Sequence, residues 1–153
     1  MIMNKILTFG IALCMVTVTN AQWGKKIKGN GNVITMERST DDYDAISVSG
    51  WFDVTLVDGK EGKLSIEGEE NLLEYIKTEV KDGKLVVKVK KGYNLQPSSW
   101  KKDGVIKVTV PVESLSALSL SGSGDIVGKK TISASEFSTS MSGSGDITLD
   151  LEC

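Results

Sequence analysis

At 153 residues the chain is long enough for one domain with a modest core. Its 18 basic and 20 acidic side chains give a net charge of −2, and no basic cluster with interleaved aromatics stands out, so nothing favours nucleic acid or an anionic bilayer as a partner. Histidine is absent, which removes the commonest general base and metal ligand, and no motif implies a cofactor.

In chain order, Met1–Lys5 is a short basic start and Ile6–Val18 an apolar run, followed by small residues at Thr19-Asn20-Ala21. Residues 1–21 therefore read as a secretory signal peptide, with Gln22 as the new N-terminus, because the run is too short to span a bilayer and no second one follows. The competing readings are a buried N-terminal strand, or a lipoprotein signal acylated at Cys14, which the preceding Leu13 fits poorly. Export would deliver residues 22–153 to the periplasm, the outer membrane surface or the extracellular space. The removed segment holds one lysine and no acid, leaving a net charge of −3. Cys153 is then the remaining cysteine, so no internal disulfide is expected, although its thiol could pair two chains.

Ile46-Ser47-Val48-Ser49, Val54-Thr55-Leu56-Val57, Lys84–Lys90 and Val105–Val110 alternate apolar with polar residues, the pattern of half-buried strands. Asp58-Gly59 and Asp82-Gly83 are turn dipeptides, and the second predicts a hairpin joining Tyr75–Lys81 to Lys84–Lys90. Glu69–Ile76 suggests at most two helical turns, and residues 91–103 form the longest irregular stretch.

The hexapeptide Ser-Gly-Ser-Gly-Asp-Ile occurs at Ser121–Ile126 and again at Ser142–Ile147, a shift of 21 positions. Written as apolar, any, Gly, any, any, Asp or Asn, then Ile or Val, the pattern also covers Ile27–Val33 and Val48–Val54. A period near 21 suits a β-solenoid coil of three short strands and three corners. Leu118 and Leu120 would face a thin core, as would Ile132 and Ala134, and Phe137, Thr139 and Met141. Stacked coils would set Ser119 over Ser140 and Ser121 over Ser142 as an outward hydroxyl ladder, with glycines supplying positive φ at the corners.

Gly-x-Gly-Asp can be read in three ways. A phosphate loop needs a following helix, whereas Ile126 and Ile147 continue as strand. A cation between Asp125 and Asp146 would have one carboxylate from each copy, without the nine-residue spacing of a calcium β-roll. A corner turn, in which Asp accepts from backbone N–H groups, needs no ligand. The carboxylate pairs Asp41-Asp42 and Glu69-Glu70 sit in polar, turn-like settings and read as solvated charge rather than a glycosidase pair, so no catalytic residue is assigned. Trp51, Tyr93 and Trp100 lie beside glycine or in loops. They are candidate contacts for a glycan or a protein, or else plugs that pack the core end and the long loop.

The succession Gly29-Asn30-Gly31-Asn32-Val33, Asp44–Gly50 into Asp53-Val54, the Thr78–Gly83 hairpin, and Val108-Thr109-Val110-Pro111 into Leu118–Ile126 resembles the auto-transporter adhesin head GIN domain family, exported bacterial proteins common in the Bacteroidetes. The likeness covers nearly all of Gly29–Leu151. It implies a right-handed parallel β-helix, shaped like pectin lyases without their catalytic residues, and a role in adhesion; it supplies no site residues. Relatives continue through further Gly-Ser-Gly-Asp coils, whereas this sequence stops at Leu151-Glu152-Cys153. The expectation is a truncated product, or a last coil whose open edge is covered by a partner or a second copy.

Together these readings give a mainly-β chain, a right-handed parallel β-helix or β-solenoid with ~21-residue coils plus a hairpin and one short helix, in a single domain over residues 22–153. The function expected is an exported, non-enzymatic surface-binding module for protein or glycan. The alternatives are a self-associating envelope protein and, more distantly, a polysaccharide-active β-helix enzyme.

Overall fold

The computed structural model describes residues 24–99 and 105–152. The signal-peptide reading of residues 1–21, the contact reading of Trp100 and the thiol of Cys153 lie outside them. Short alternating runs cut by glycine, asparagine and aspartate give, in order, β1 (Lys25–Lys28), β2 (Val33–Ser39), β3 (Ala45–Ser49), β4 (Asp53–Asp58) and β5 (Lys63–Glu69). A single helical turn, α1 (Glu70–Leu73), buries Leu72 and Leu73. Then come β6 (Ile76–Lys81), β7 (Lys84–Val89), β8 (Tyr93–Gln96), β9 (Lys107–Val112), β10 (Ala117–Gly122), β11 (Ile126–Ser133), β12 (Ser138–Gly143) and β13 (Ile147–Glu152). Asp82 and Gly83, at φ 52° and 75°, close the predicted β6–β7 hairpin with the left-handed backbone that a tight two-residue turn needs.

The strands form three sheets, ordered β12-β10-β3-β7-β6, β13-β11-β4-β9-β5-β2 and β1-β8. Pairings β12–β10–β3–β7 and β13–β11–β4–β9 are parallel, while β6–β7, β2–β5 and β5–β9 are antiparallel. Three strand–corner–strand units, β3–β4, β10–β11 and β12–β13, lie level on level, each giving one strand to each large sheet. The predicted shift of 21 is the register of β10 on β12, Ala117 opposite Ser138 through Gly122 opposite Gly143, and of Ile126 on Ile147. The serine ladder forms as read, and Ser47 extends it: Ser119 Oγ lies 3.1 Å from Ser47 Oγ.

Three expectations change. Ile27–Val33 does not stack on Val48–Val54: Ile27 sits opposite Leu95, whereas Val48 is flanked by Leu120 and Val87. Its glycines serve a loop around Glu69 instead of a stacked corner. Residues 91–103 are not wholly irregular, because Tyr93–Gln96 is drawn into a strand by the edge of β1. Thr139 and Met141 continue the columns of Leu118 and Leu120, yet Met141 is 51% exposed because β12 is an outer strand.

The core runs between the two large sheets, from Ile46, Val48, Phe52, Val54 and Leu56 through Ile106, Val108 and Val110 to Leu118, Leu120 and Ile126, all buried. Each such aliphatic side chain contributes roughly 1.5–3 kcal/mol on leaving water. Arg38 on β2 ties this core to α1 by donating to the carbonyl oxygens of Leu73 and Ile76. The Leu73 carbonyl ends the helical turn, where a cation is favourable, and that of Ile76 opens β6.

Close stacking leaves no room for a side chain at the corner glycines. A Cβ on Gly124 would fall inside the envelope of the Phe52 carbonyl oxygen, and one on Gly122 inside that of Gly50. Gly124→Ala should therefore destabilise the protein by at least about 3 kcal/mol, while Ser123→Ala, at the exposed tip of the same corner, should stay within about 0.5 kcal/mol. Denaturant unfolding of both variants checks this, and equal midpoints would contradict the stacking.

Candidate functional site

The Gly-x-Gly-Asp corners form columns. The Gly50 N–H donates to Ser121 O at 2.8 Å, Val54 N–H to Asp125 O at 2.8 Å, and Ile126 N–H to Asp146 O at 2.9 Å. The aspartates form a ladder through their side chains, with Asp146 N–H donating to Asp125 Oδ1 at 3.0 Å. Burial and the Asp125 charge raise the pKa of Asp53, while the Asp125 N–H and Lys107 act against that rise. The expected backbone-bonding role of the aspartate thus spans two levels rather than one turn. Asp125 and Asp146 are brought together by a peptide N–H. Among the described residues no group of three or more His, Cys, Asp or Glu is placed to hold a metal ion.

Glu69 departs from its expected role as a solvated charge. It is the one buried charged side chain among the described residues, at 2% exposure. Its carboxylate accepts from Gly31 N–H at 2.7 Å and Ser98 N–H at 3.0 Å, joining the loop after β1 to the loop after β8. Burial pushes its pKa up, but the Ser98 hydroxyl and the two amide donors outweigh that and hold the carboxyl below its ordinary range. Around it, Asn71 accepts from Asn30 N–H and donates to Lys28 O, while Asn32 donates to the exposed Glu70 carboxylate. The Gly-Asn-Gly-Asn run is therefore a loop wrapped on the start of α1. The legible signal was a glycine–asparagine run rich in unpaired amides, which needs an acceptor; the distance to Glu69 in sequence hid which one.

That clamp holds β1 and β8 side by side, with Gly29 N–H donating to Gln96 O at 2.7 Å. Trp51, in the corner between β3 and β4, is half-buried, with its ring centroid 5.7 Å from that of Phe52. It lines a cleft of about 400 Å³ with Lys28, Asn94, Leu95, Gln96 and Pro97. Trp51 is thus both a packing residue and a cleft wall. Tyr93 lies at the other end of β8, 37% exposed, with its ring centroid 4.5 Å from that of Tyr75, and is not among the residues lining the cleft. An indole, two amides and an ammonium can stack on a sugar ring and bond its hydroxyls. Asn94, Gln96 and Lys28 had no sequence signal, because the cleft exists only once β1 pairs with β8.

A second, polar cleft gathers Asp42, Asp44, Glu61, Asp82 and Glu113. Hydrogen bonding with Glu61 and its charge raise the Glu113 pKa. Asp41 and Asp42 are exposed, in accord with their reading as surface charge.

These features define a mainly-β domain of mixed sheets with parallel strands stacked corner on corner. The chain belongs to the family described as "Putative auto-transporter adhesin, head GIN domain", whose sequence signature matches residues 42–153. A "putative lipid binding protein" from Parabacteroides distasonis is similar at 31% identity and a TM-score of 0.72, over 83% of this chain and 53% of its own. A "putative adhesin" from Parabacteroides merdae (22% identity, TM-score 0.65, 76% of this chain and 47% of its own) and one from Bacteroides fragilis (21%, 0.67, 82% and 58%) share the fold. The chain thus spans about half the length of these solved relatives. No curated protein matches it. Among the described residues no helix is long and apolar enough to cross a membrane.

Because Glu69 ionises more readily folded than at its ordinary value of 4.5, the stability it contributes is complete above that pH and is lost as pH falls through its lower folded value. At neutral pH Glu69→Gln should cost about 2 kcal/mol. Thermal melts of both proteins from neutral to acid pH should show the gap shrinking below pH 4.5. A gap constant across that range contradicts an ionised, hydrogen-bonded Glu69.

Proposed function

We propose that this chain is an exported, non-enzymatic binding module of the cell surface whose ligand is a glycan seated against Trp51. The observation that carries the glycan reading is the composition of the cleft: an indole for the ring face, and Asn94 and Gln96 amides for its hydroxyls. Family membership supports adhesion as the context, and the N-terminal pattern supports export. The offset of 21 shared by β10–β12 and by Ile126–Ile147 supports reading the stacked levels as coils of a right-handed parallel β-helix. The non-enzymatic reading is supported by Glu69, whose carboxylate is spent on two amides, and by the absence of histidine. A glycan array should show binding that falls roughly tenfold in Trp51→Ala and also in Gln96→Ala, which leaves the Phe52 contact intact. A silent array for the wild type sinks the reading.

One observation favours a second reading, self-association through the β12–β13 level. Thr139, Met141, Asp146, Ile147, Leu149 and Leu151 line a groove of about 440 Å³, with Met141 51% and Leu151 42% exposed on outer strands. Outer strands with apolar faces pair with further strands unless charged. Light scattering should then give a mass that rises with concentration and returns to monomer in Leu149→Lys. A wild-type mass that stays monomeric at all concentrations overturns this second reading.

A further inference from the structure

We propose that the face formed by β1 and β8 docks an acidic polysaccharide, so that the glycan of the Trp51 cleft carries carboxylates. This rests on the glycan reading above and adds its charge class. The parallel register sets Lys26 opposite Asn94 and Lys28 opposite Gln96. Residues in register share a face, so two ammonium groups and two amides stand together beside the cleft. The turn entering β8 adds Lys90 and Lys91, fixed by Tyr93 N–H on Lys90 O at 3.3 Å and by Lys25 N–H on Gly92 O at 2.8 Å. Lys25, Lys26, Lys28, Lys90 and Lys91 are all exposed.

None of these lysines is neutralised by the ion pairs found among the described residues, which join Lys63 to Glu37, Lys77 to Glu79, Lys107 to Glu67 and Lys130 to Asp58. Amide donors from Gly31 and Ser98 to Glu69 and from Asn32 to Glu70 leave those carboxylates charged, and the five lysines outnumber them. The result is a positive end on a chain whose net charge is −2. A long polyanion would be repelled elsewhere, for example at the Asp42, Asp44, Glu61, Asp82 and Glu113 cleft, so its docking is confined to this face. A bilayer would meet the lysine tips but could not enter the cleft. A sugar ring enters it, stacks on the indole, and presents its carboxylate to Lys28.

The test uses the secreted chain with alginate oligosaccharides, neutral dextran oligosaccharides and phosphatidylglycerol vesicles. Alginate should bind, weakening as salt rises, and Lys26→Gln with Lys28→Gln should lose at least tenfold in affinity while the melting temperature holds. Lys90→Gln with Lys91→Gln should flatten the salt dependence. Equal binding of dextran and alginate, unchanged by the lysine variants, overturns the charge class while leaving the glycan reading standing. Binding to vesicles alone overturns it in favour of a membrane. Binding to none of the three overturns it too, and a glycan array silent for all sugars would then show that the glycan reading has failed as well.

Discussion

At the corners Gly50–Asp53, Gly122–Asp125 and Gly143–Asp146, the carbonyl oxygen of one level occupies the space that a Cβ on the next would need. Glycine is required there for two reasons at once. Gly50, Gly122 and Gly143 have φ of 136°, 122° and 126°, and a Cβ would meet the backbone of the neighbouring level at Gly122 and Gly143 and the Phe52 ring at Gly50. Stacking this close lets the Asp125 carboxylate reach the next level and accept from Asp146 N–H. The apolar columns follow from the same spacing. Val48 lies under Leu120 and Val54 under Ile126, and the serines between them are turned outward.

The same corner sets the candidate site. Trp51 follows Gly50 directly, so the stack fixes where its indole can lie, with Phe52 on one side and the cleft it shares with β8 on the other. The remaining walls come from an unrelated device. The buried Glu69 gathers the loops after β1 and β8, and their pairing brings Lys28 beside Asn94 and Gln96. The candidate site thus lies where a repeated, stiff element meets an irregular one, a common division of labour between scaffold and loop.

Legibility in the sequence followed the range of each interaction. The shift between the two Ser-Gly-Ser-Gly-Asp-Ile copies predicted the β10–β12 register, because adjacent levels with nothing inserted keep period and pairing together. The hairpin at Asp82-Gly83 was equally local. The copy at Ile27–Val33 misled, since one short pattern of Gly and Asn serves a stacked corner or a carboxylate clamp, and the partner that decides lies near residue 69. The burial of Glu69 left no run to read, and the short basic runs at Lys25–Lys28 and Lys88–Lys91 gave no sign that they meet, because both depend on pairings distant in sequence. Trp51 was legible as a candidate; its amide and lysine neighbours were not.

On the proposed function, ligand recognition lies where the Trp51 corner meets β1 and β8, and not on the serine ladder. Amide and indole NMR shifts measured while an alginate oligosaccharide is titrated into labelled protein address it directly. The account predicts that the Trp51 indole N–H, the Asn94 and Gln96 side-chain amides and the backbone of Lys25–Lys28 move together and saturate. Shifts centred instead on Ser47, Ser119 and Ser140, with the Trp51 indole unmoved, would contradict it.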